Sequence, residues 1–247
     1  MARQIVILAL SVAVSGCGAT FRPSEYADPL ALYNASIERY RHGECQDAEL
    51  GLQRVSFELA PRDQMQARVR YYLAECRLAA RDFLEAARQF RQVADEFPRH
   101  ELAPDALLRA GDAFAEMWKA PELDPSYGQN AIDVWRELMG RYPESTAGQR
   151  ARLRVRDLQE MFAEKEYKTG MFYLRLHAYD SAIIYFQEVV AQYQSSQFAP
   201  LAVLRLVDVY RRLGYEEEQG QMCNYLRQYY PDRVTDATGC ASGAGSP

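Results

Sequence analysis

The sequence predicts an all-α chain built as a right-handed superhelical solenoid of about five helix-turn-helix units. Three observations carry this. Apolar side chains recur at steps of three and four, which gathers them on one face of a helix. One helix pattern, ended by an aromatic residue and Pro, returns along the chain. Between its copies a second pattern recurs, small-x-x-Ala-x-Leu-Arg-x-x-Asp, so two kinds of helix alternate.

Residues 1–16 read as a leader. "MARQ" carries one Arg, and the uncharged run from Ile5 to Val14 is about half the roughly 20 apolar residues that a spanning helix needs. The four residues "VSGC" resemble the lipobox of bacterial lipoproteins, which makes Cys17 the acylated first residue of the mature chain. Small Ser15 and Gly16 leave the cleaved bond accessible, and the thiol is the good nucleophile nearby. Gly18, where Asp would favour retention in the inner membrane, points to the outer membrane and its periplasmic side. Residues 17–29 then form a lipid-anchored tether.

The repeats fill residues 30–231. The first unit holds Gly43, Ala48, Leu52 and Val55 in phase, with Cys45 where an aromatic is expected. "FLEAARQFRQVADEFP" in unit two places Phe83, Ala86, Phe90, Val93 and Phe97 on one face and stops at Pro98. Unit three repeats this with Ala131, Trp135, Leu138, Tyr142 and Pro143, and unit four with Tyr179, Ala182, Phe186, Val189 and Tyr193. The second pattern precedes them as "APDALLRAGD", "GQRARLRVRD" and "APLAVLRLVD". This is the tetratricopeptide pattern. The last unit keeps Tyr230 and Pro231 but has Gln219 and Cys223 at the Ala and Phe positions, as terminal units do when one face meets water.

The units are unequal. In unit three the extra residues lie around "KAPELDPSYG", where Pro121 and Pro125 exclude helix and predict a protruding loop. The extra residues of unit four contain no Pro, so its first helix is expected to lengthen by about 21 Å with its buried stripe nearly in phase. Gly170 is then expected where the two helices of that unit cross closely. Residues 232–247, small and polar, read as a disordered tail.

Composition narrows the function. The chain has 29 Lys and Arg against 34 Asp and Glu, a net charge of −5, which argues against a nucleic-acid partner. Cys45, Cys76, Cys223 and Cys240 are too widely spaced for a zinc knuckle or a redox pair. In an oxidising compartment they allow disulfides, with Cys45–Cys76 and Cys223–Cys240 the favoured pairing and free thiols the standing alternative. His42, His100 and His177 are far apart and accompany no nucleophile motif, and there is no glycine-rich phosphate loop. No enzyme, cofactor or metal site is expected.

The lipobox, the five units, the loop of the third and the long helix of the fourth together resemble the BamD family of outer-membrane assembly lipoproteins. The most specific stretch runs from Leu123 to Tyr193, including "AEKEY" and "MFYLRLHAYDSAIIYF". The resemblance implies a scaffold that docks a BamA-like barrel protein and engages unfolded outer-membrane proteins. Members often carry an Arg two residues after the Ile of "AI", and Tyr185 stands there instead. A lipoprotein adaptor for other cell-envelope or division proteins is the alternative.

Two surfaces are candidates for binding. Tyr33, Ile37, Tyr40, Arg68 and Tyr71 are expected to line a peptide groove, where Arg would meet a carboxylate and the aromatics a side chain. Tyr185, Arg150, Arg152 and Arg154 are candidates for partner docking, against a plainer reading of the "RARLRVR" arginines as a solvated face with Arg156 paired to Glu160.

Overall fold

The computed structural model describes residues 21–234 and Cys240. The leader and Cys17 lie outside them. Among the described residues ten α-helices follow one another: α1 Pro29–Arg41, α2 Cys45–Glu58, α3 Gln64–Ala79, α4 Phe83–Glu96, α5 Ala103–Ala115, α6 Ser126–Arg141, α7 Thr146–Arg175, α8 Tyr179–Gln192, α9 Phe198–Leu213 and α10 Glu216–Tyr229. Each packs on the next, which makes five stacked hairpins, a tetratricopeptide-like solenoid. Among the described residues there is no strand, and no helix is long and apolar enough to cross a membrane.

Local chemistry sets the helix starts. The Asp28 carboxylate accepts from the Ala31 amide at 2.9 Å, Asp63 from Met65 at 2.8 Å, and the Ser145 hydroxyl from Gly148 at 2.9 Å. Each satisfies an amide that a helix leaves without a partner. At the inner corners the chain turns through left-handed residues, Gly43 (φ 78°), Arg81 (φ 62°), His177 (φ 59°) and Gly214 (φ 75°). Glycine suits this geometry; Arg81 and His177 occupy it despite a Cβ penalty.

The repeat residues form the core. Ala48, Ala86, Ala131 and Ala182 are fully buried, as are Phe90, Trp135 and Phe186. Each such aromatic contributes about 1.5–3 kcal/mol by leaving water. Two of them lie against glycines of the preceding helix. A Cβ on Gly111 would sit 2.1 Å from Trp135 Nε1, and one on Gly170 2.7 Å from the Phe186 ring. Gly170 therefore marks the expected close crossing. The helix-ending tyrosines tie units together: the Tyr142 hydroxyl donates to the Pro98 carbonyl and Tyr230 to that of Gln194, both at 2.8 Å.

Helix α7 has the expected extra length, 30 residues against 13 to 16 in the other first helices. Its first half closes the core of units two to four, which ends at Phe162, and its second half belongs to a separate core that begins at Ala163.

Several of these expectations change or gain detail. The unit-three loop does not protrude freely: Trp118 is buried against Phe162, ring centroids 4.4 Å apart, and Lys165 Nζ donates to the carbonyls of Pro121 and Leu123 at 3.1 Å each. The tether is packed from Phe21 onward, with Phe21 in the core of unit one and Arg39 over its ring at 5.3 Å. Most of the stretch read as a disordered tail lies outside the described residues; within it Cys240 is buried and disulfide-bonded to Cys223 (S–S 1.99 Å), the second favoured bridge. Cys45 and Cys76, by contrast, are free thiols, so the other favoured bridge is absent. Cys76 is buried, and burial followed by the neighbouring Cys45 pushes its thiol well above the ordinary range.

Candidate docking surfaces

The groove residues divide between two surfaces and the core. Tyr33 and Ile37 line a concavity of about 380 Å³ together with Arg41 and Tyr72, yet Ile37 itself is buried with Phe21, Leu32 and Leu52. Tyr71 packs edge-on against Phe90 at 5.3 Å, and burial, then the Glu75 charge, raises its hydroxyl pKa. These two are core residues, because the face assigned to the groove also meets neighbouring units. Tyr40 turns the other way, edge-on to Tyr72 at 5.1 Å, and lines a broader concavity of about 760 Å³ beside Cys45. Burial, then Glu75, pushes its hydroxyl up to about 12. Arg68 is exposed and pairs with Glu101 at 2.6 Å. Tyr33 and Arg68 remain as groove candidates that solvent reaches.

Behind Tyr40 lies a contact that sequence reasoning missed. Arg109 donates in parallel to both oxygens of Glu75, Nε to Oε1 at 2.6 Å and Nη2 to Oε2 at 2.5 Å, joining α5 to α3. The pair is shielded, with the Glu75 side chain 8% exposed. Asp112 sits 3.3 Å from Arg154 of α7. The recurring Asp of unit three and the recurring Arg of unit four are thus partners across units, whereas Arg205 of unit five bonds the Tyr167 hydroxyl instead. Burial raises the Asp112 pKa, against the pull of Arg154 and Arg109.

This assigns part of the arginine cluster. Arg150 pairs with Asp105, and Arg154 with Asp112, so both brace unit four on unit three. Arg152 points to solvent. Arg156 pairs with Asp157 at 3.9 Å and not with Glu160, whose carboxylate instead accepts from the Gln197 amide at 3.2 Å ahead of α9.

Tyr185 lies on the distal part of unit four. Its ring stacks on Tyr173 of α7, centroids 5.4 Å apart and 7° from parallel, and Tyr173 meets Phe172 edge-on at 5.4 Å. Burial raises the Tyr185 pKa, with further contributions from Tyr173 and Glu166. Phe172 and Leu176, one turn apart, are 49% and 60% exposed, as is Ile184 at 64%. Arg would have given this ledge a charge; Tyr gives it a flat aromatic step. Lys168 bonds Glu122 at 2.6 Å, which fixes the loop along the near edge.

The histidines hold corners. His42 caps α1, His177 takes the left-handed turn after α7, and His100 Nδ1 accepts from the Leu102 amide at 3.1 Å. Burial lowers the His100 pKa.

A family model described as an outer membrane lipoprotein, YfiO, matches residues 26–225, which spans α1 through most of α10. The chain belongs to this family. It is similar to proteins named outer membrane protein assembly factor BamD in Caulobacter vibrioides, 23% identical over 223 residues covering 87% of this chain and 71% of that one, and in Rickettsia prowazekii, 21% identical over 232 residues covering 92% and 90%. Among solved structures, a TPR repeats protein from Bacteroides fragilis aligns with 84% of this chain and 94% of its own at 14% identity and a TM-score of 0.48. The tetratricopeptide assignment rests on the helix pairs themselves.

Proposed function

We propose that this chain is a lipid-anchored, non-enzymatic scaffold of outer-membrane β-barrel assembly. Cys17 fastens it to the periplasmic face of the outer membrane, and the distal half docks a BamA-like barrel protein. The observation that carries the reading is the family match from α1 through most of α10, with an exposed aromatic ledge at Tyr173, Tyr185 and Phe172 as its candidate docking surface. Docking falls to Tyr185, Tyr173 and Phe172, with Arg152 a separate candidate on the first half of α7, about 30 Å along the helix, since Arg150 and Arg154 are engaged within the fold. Unfolded outer-membrane proteins are engaged near Tyr33 and Arg68, whose charge acts on the Tyr33 hydroxyl across units one and two.

The test is co-purification from membranes in mild detergent. The parent chain should recover a BamA-like barrel protein, and Tyr185→Glu should reduce the recovery at least fivefold while leaving the fold intact by circular dichroism. Equal recovery with Tyr185→Glu would remove the ledge from the account. Recovery of no barrel protein by the folded parent would overturn the scaffold reading.

A further inference from the structure

The outer face of α2 carries a stripe that nothing in the fold covers. Gln46, Leu50, Gln53 and Phe57 follow one another at steps of four, three and four, so they share one side of the helix. Leu50 is 56% exposed and Phe57 91%, the most exposed large apolar side chain among the described residues. The stripe itself bears no charge. The acids that flank it are already neutralised: Asp47 lies 3.9 Å from Arg39, Glu49 3.3 Å from Arg77, and Glu58 2.7 Å from Arg54. A neutral strip with an aromatic at one end and polar, uncharged neighbours is what the headgroup boundary of a bilayer accepts.

The chain's own route says what lies opposite. The N-terminal segment runs along α2: Arg54, at the edge of the stripe, donates through Nη1 to the Pro23 carbonyl, and the Phe21 ring packs on the buried side of the same helix, 3.1 Å from where a Cβ on Gly51 would stand. Four residues separate Phe21 from Cys17, and an extended chain covers at most about 14 Å in that distance. If Cys17 carries the acyl chains, α2 is held against the leaflet it is anchored in. We infer that the Leu50–Phe57 face of α2 rests on the phospholipid surface and orients the solenoid relative to the membrane. This rests on the Cys17 anchor proposed above.

The experiment uses the full lipidated chain, with Cys45→Ser and Cys76→Ala removing the free thiols. An environment-sensitive fluorophore is placed through Phe57→Cys or, as control, through Leu84→Cys on the exposed face of α4. Each protein is reconstituted in phosphatidylethanolamine and phosphatidylglycerol vesicles, with and without a nitroxide phospholipid. At least twofold stronger quenching at position 57 than at position 84 is expected. Equal quenching in protein that floats with the vesicles overturns the inference and leaves the anchor standing. Protection at position 57 that appears only after adding a barrel protein also overturns it, because the face then belongs to a protein partner. Intact mass separates the two claims: a chain without fatty acid on Cys17 removes the anchor, and the inference falls with it.

Discussion

Replacing Gly111 by Ala should destabilise the protein even though Ala is the better helix former. In the middle of a helix the exchange alone favours Ala by about 1 kcal/mol. At Gly111 the new Cβ would stand 2.1, 2.4 and 2.7 Å from three atoms of the Trp135 indole. That ring is 1% exposed and its Nε1 donates to the Leu108 carbonyl at 3.2 Å, so it has no space to swing away and loses the bond if it does. Overpacking costs about 1–3 kcal/mol, and a buried indole N–H without its acceptor about 1–3 more. The net loss is roughly 3 kcal/mol, which for a chain of this size lowers Tm by roughly 6–12 °C. Gly220→Ala is the matched control. It makes the same chemical change inside α10, where a Cβ would meet nothing within 4 Å, and should raise stability by about 1 kcal/mol. Thermal unfolding of the Cys17→Ser chain, followed by far-UV circular dichroism, reads both. A Gly111→Ala protein that melts at or above the parent would refute the close-crossing argument.

Thiol labelling should distinguish the two free cysteines: in native protein at mildly alkaline pH, half-exposed Cys45 reacts quickly, and buried Cys76, its thiol pKa raised, reacts only on unfolding. Two rapid thiols would mean that α2 and α3 part readily. The tryptophans should respond unequally to Phe. The Trp118 indole N–H is buried with no hydrogen-bond partner among the described residues, so Trp118→Phe removes an unsatisfied donor and should cost about 1 kcal/mol less than Trp135→Phe in chemical denaturation. Arg81→Gly and His177→Gly, which relieve left-handed corners, should each stabilise by about 0.5–1 kcal/mol, and lower midpoints in both would contradict the corner geometry.

What the sequence made legible is what repeats. The Ala, Phe and Trp positions at steps of three and four are the core because helical periodicity decides burial locally, and the 30-residue α7 follows from a helical phase that fourteen inserted residues barely disturb. What it hid depends on residues distant in the chain. Two prolines excluded helix around residue 121 correctly, but only the folded chain brings Trp118 under Phe162 and Lys165 over the loop carbonyls. Ile37 and Tyr71 were readable as groove-lining, since a helix wheel shows which residues share a face and not which neighbour covers it. The arginines of "RARLRVR" carried a partial signal: Arg and Asp recur at fixed places in successive second-pattern helices, and Arg154 meets Asp112 across units, but the next Arg, Arg205, takes the Tyr167 hydroxyl instead.

The aromatic ledge proposed for docking and the groove candidates lie on different units, so the proposed scaffold works only if the units keep their mutual orientation. Stacked hairpins touch mainly their neighbours, and such arrays can loosen at a single seam. Here the seam falls inside one helix. Phe162 closes the core of units two to four, Ala163 opens that of units four and five, and Tyr193 packs against both, its ring 8° from parallel to Phe162 at 6.5 Å. Phe162→Ala should therefore cost about 3–5 kcal/mol and act on cooperativity more than on helix content. Calorimetry of the parent should show one transition, and the variant two, with units four and five melting separately. A single transition in the variant, displaced to lower temperature, would show that the continuous α7 backbone alone holds the halves together and that the aromatic seam adds stability without coupling.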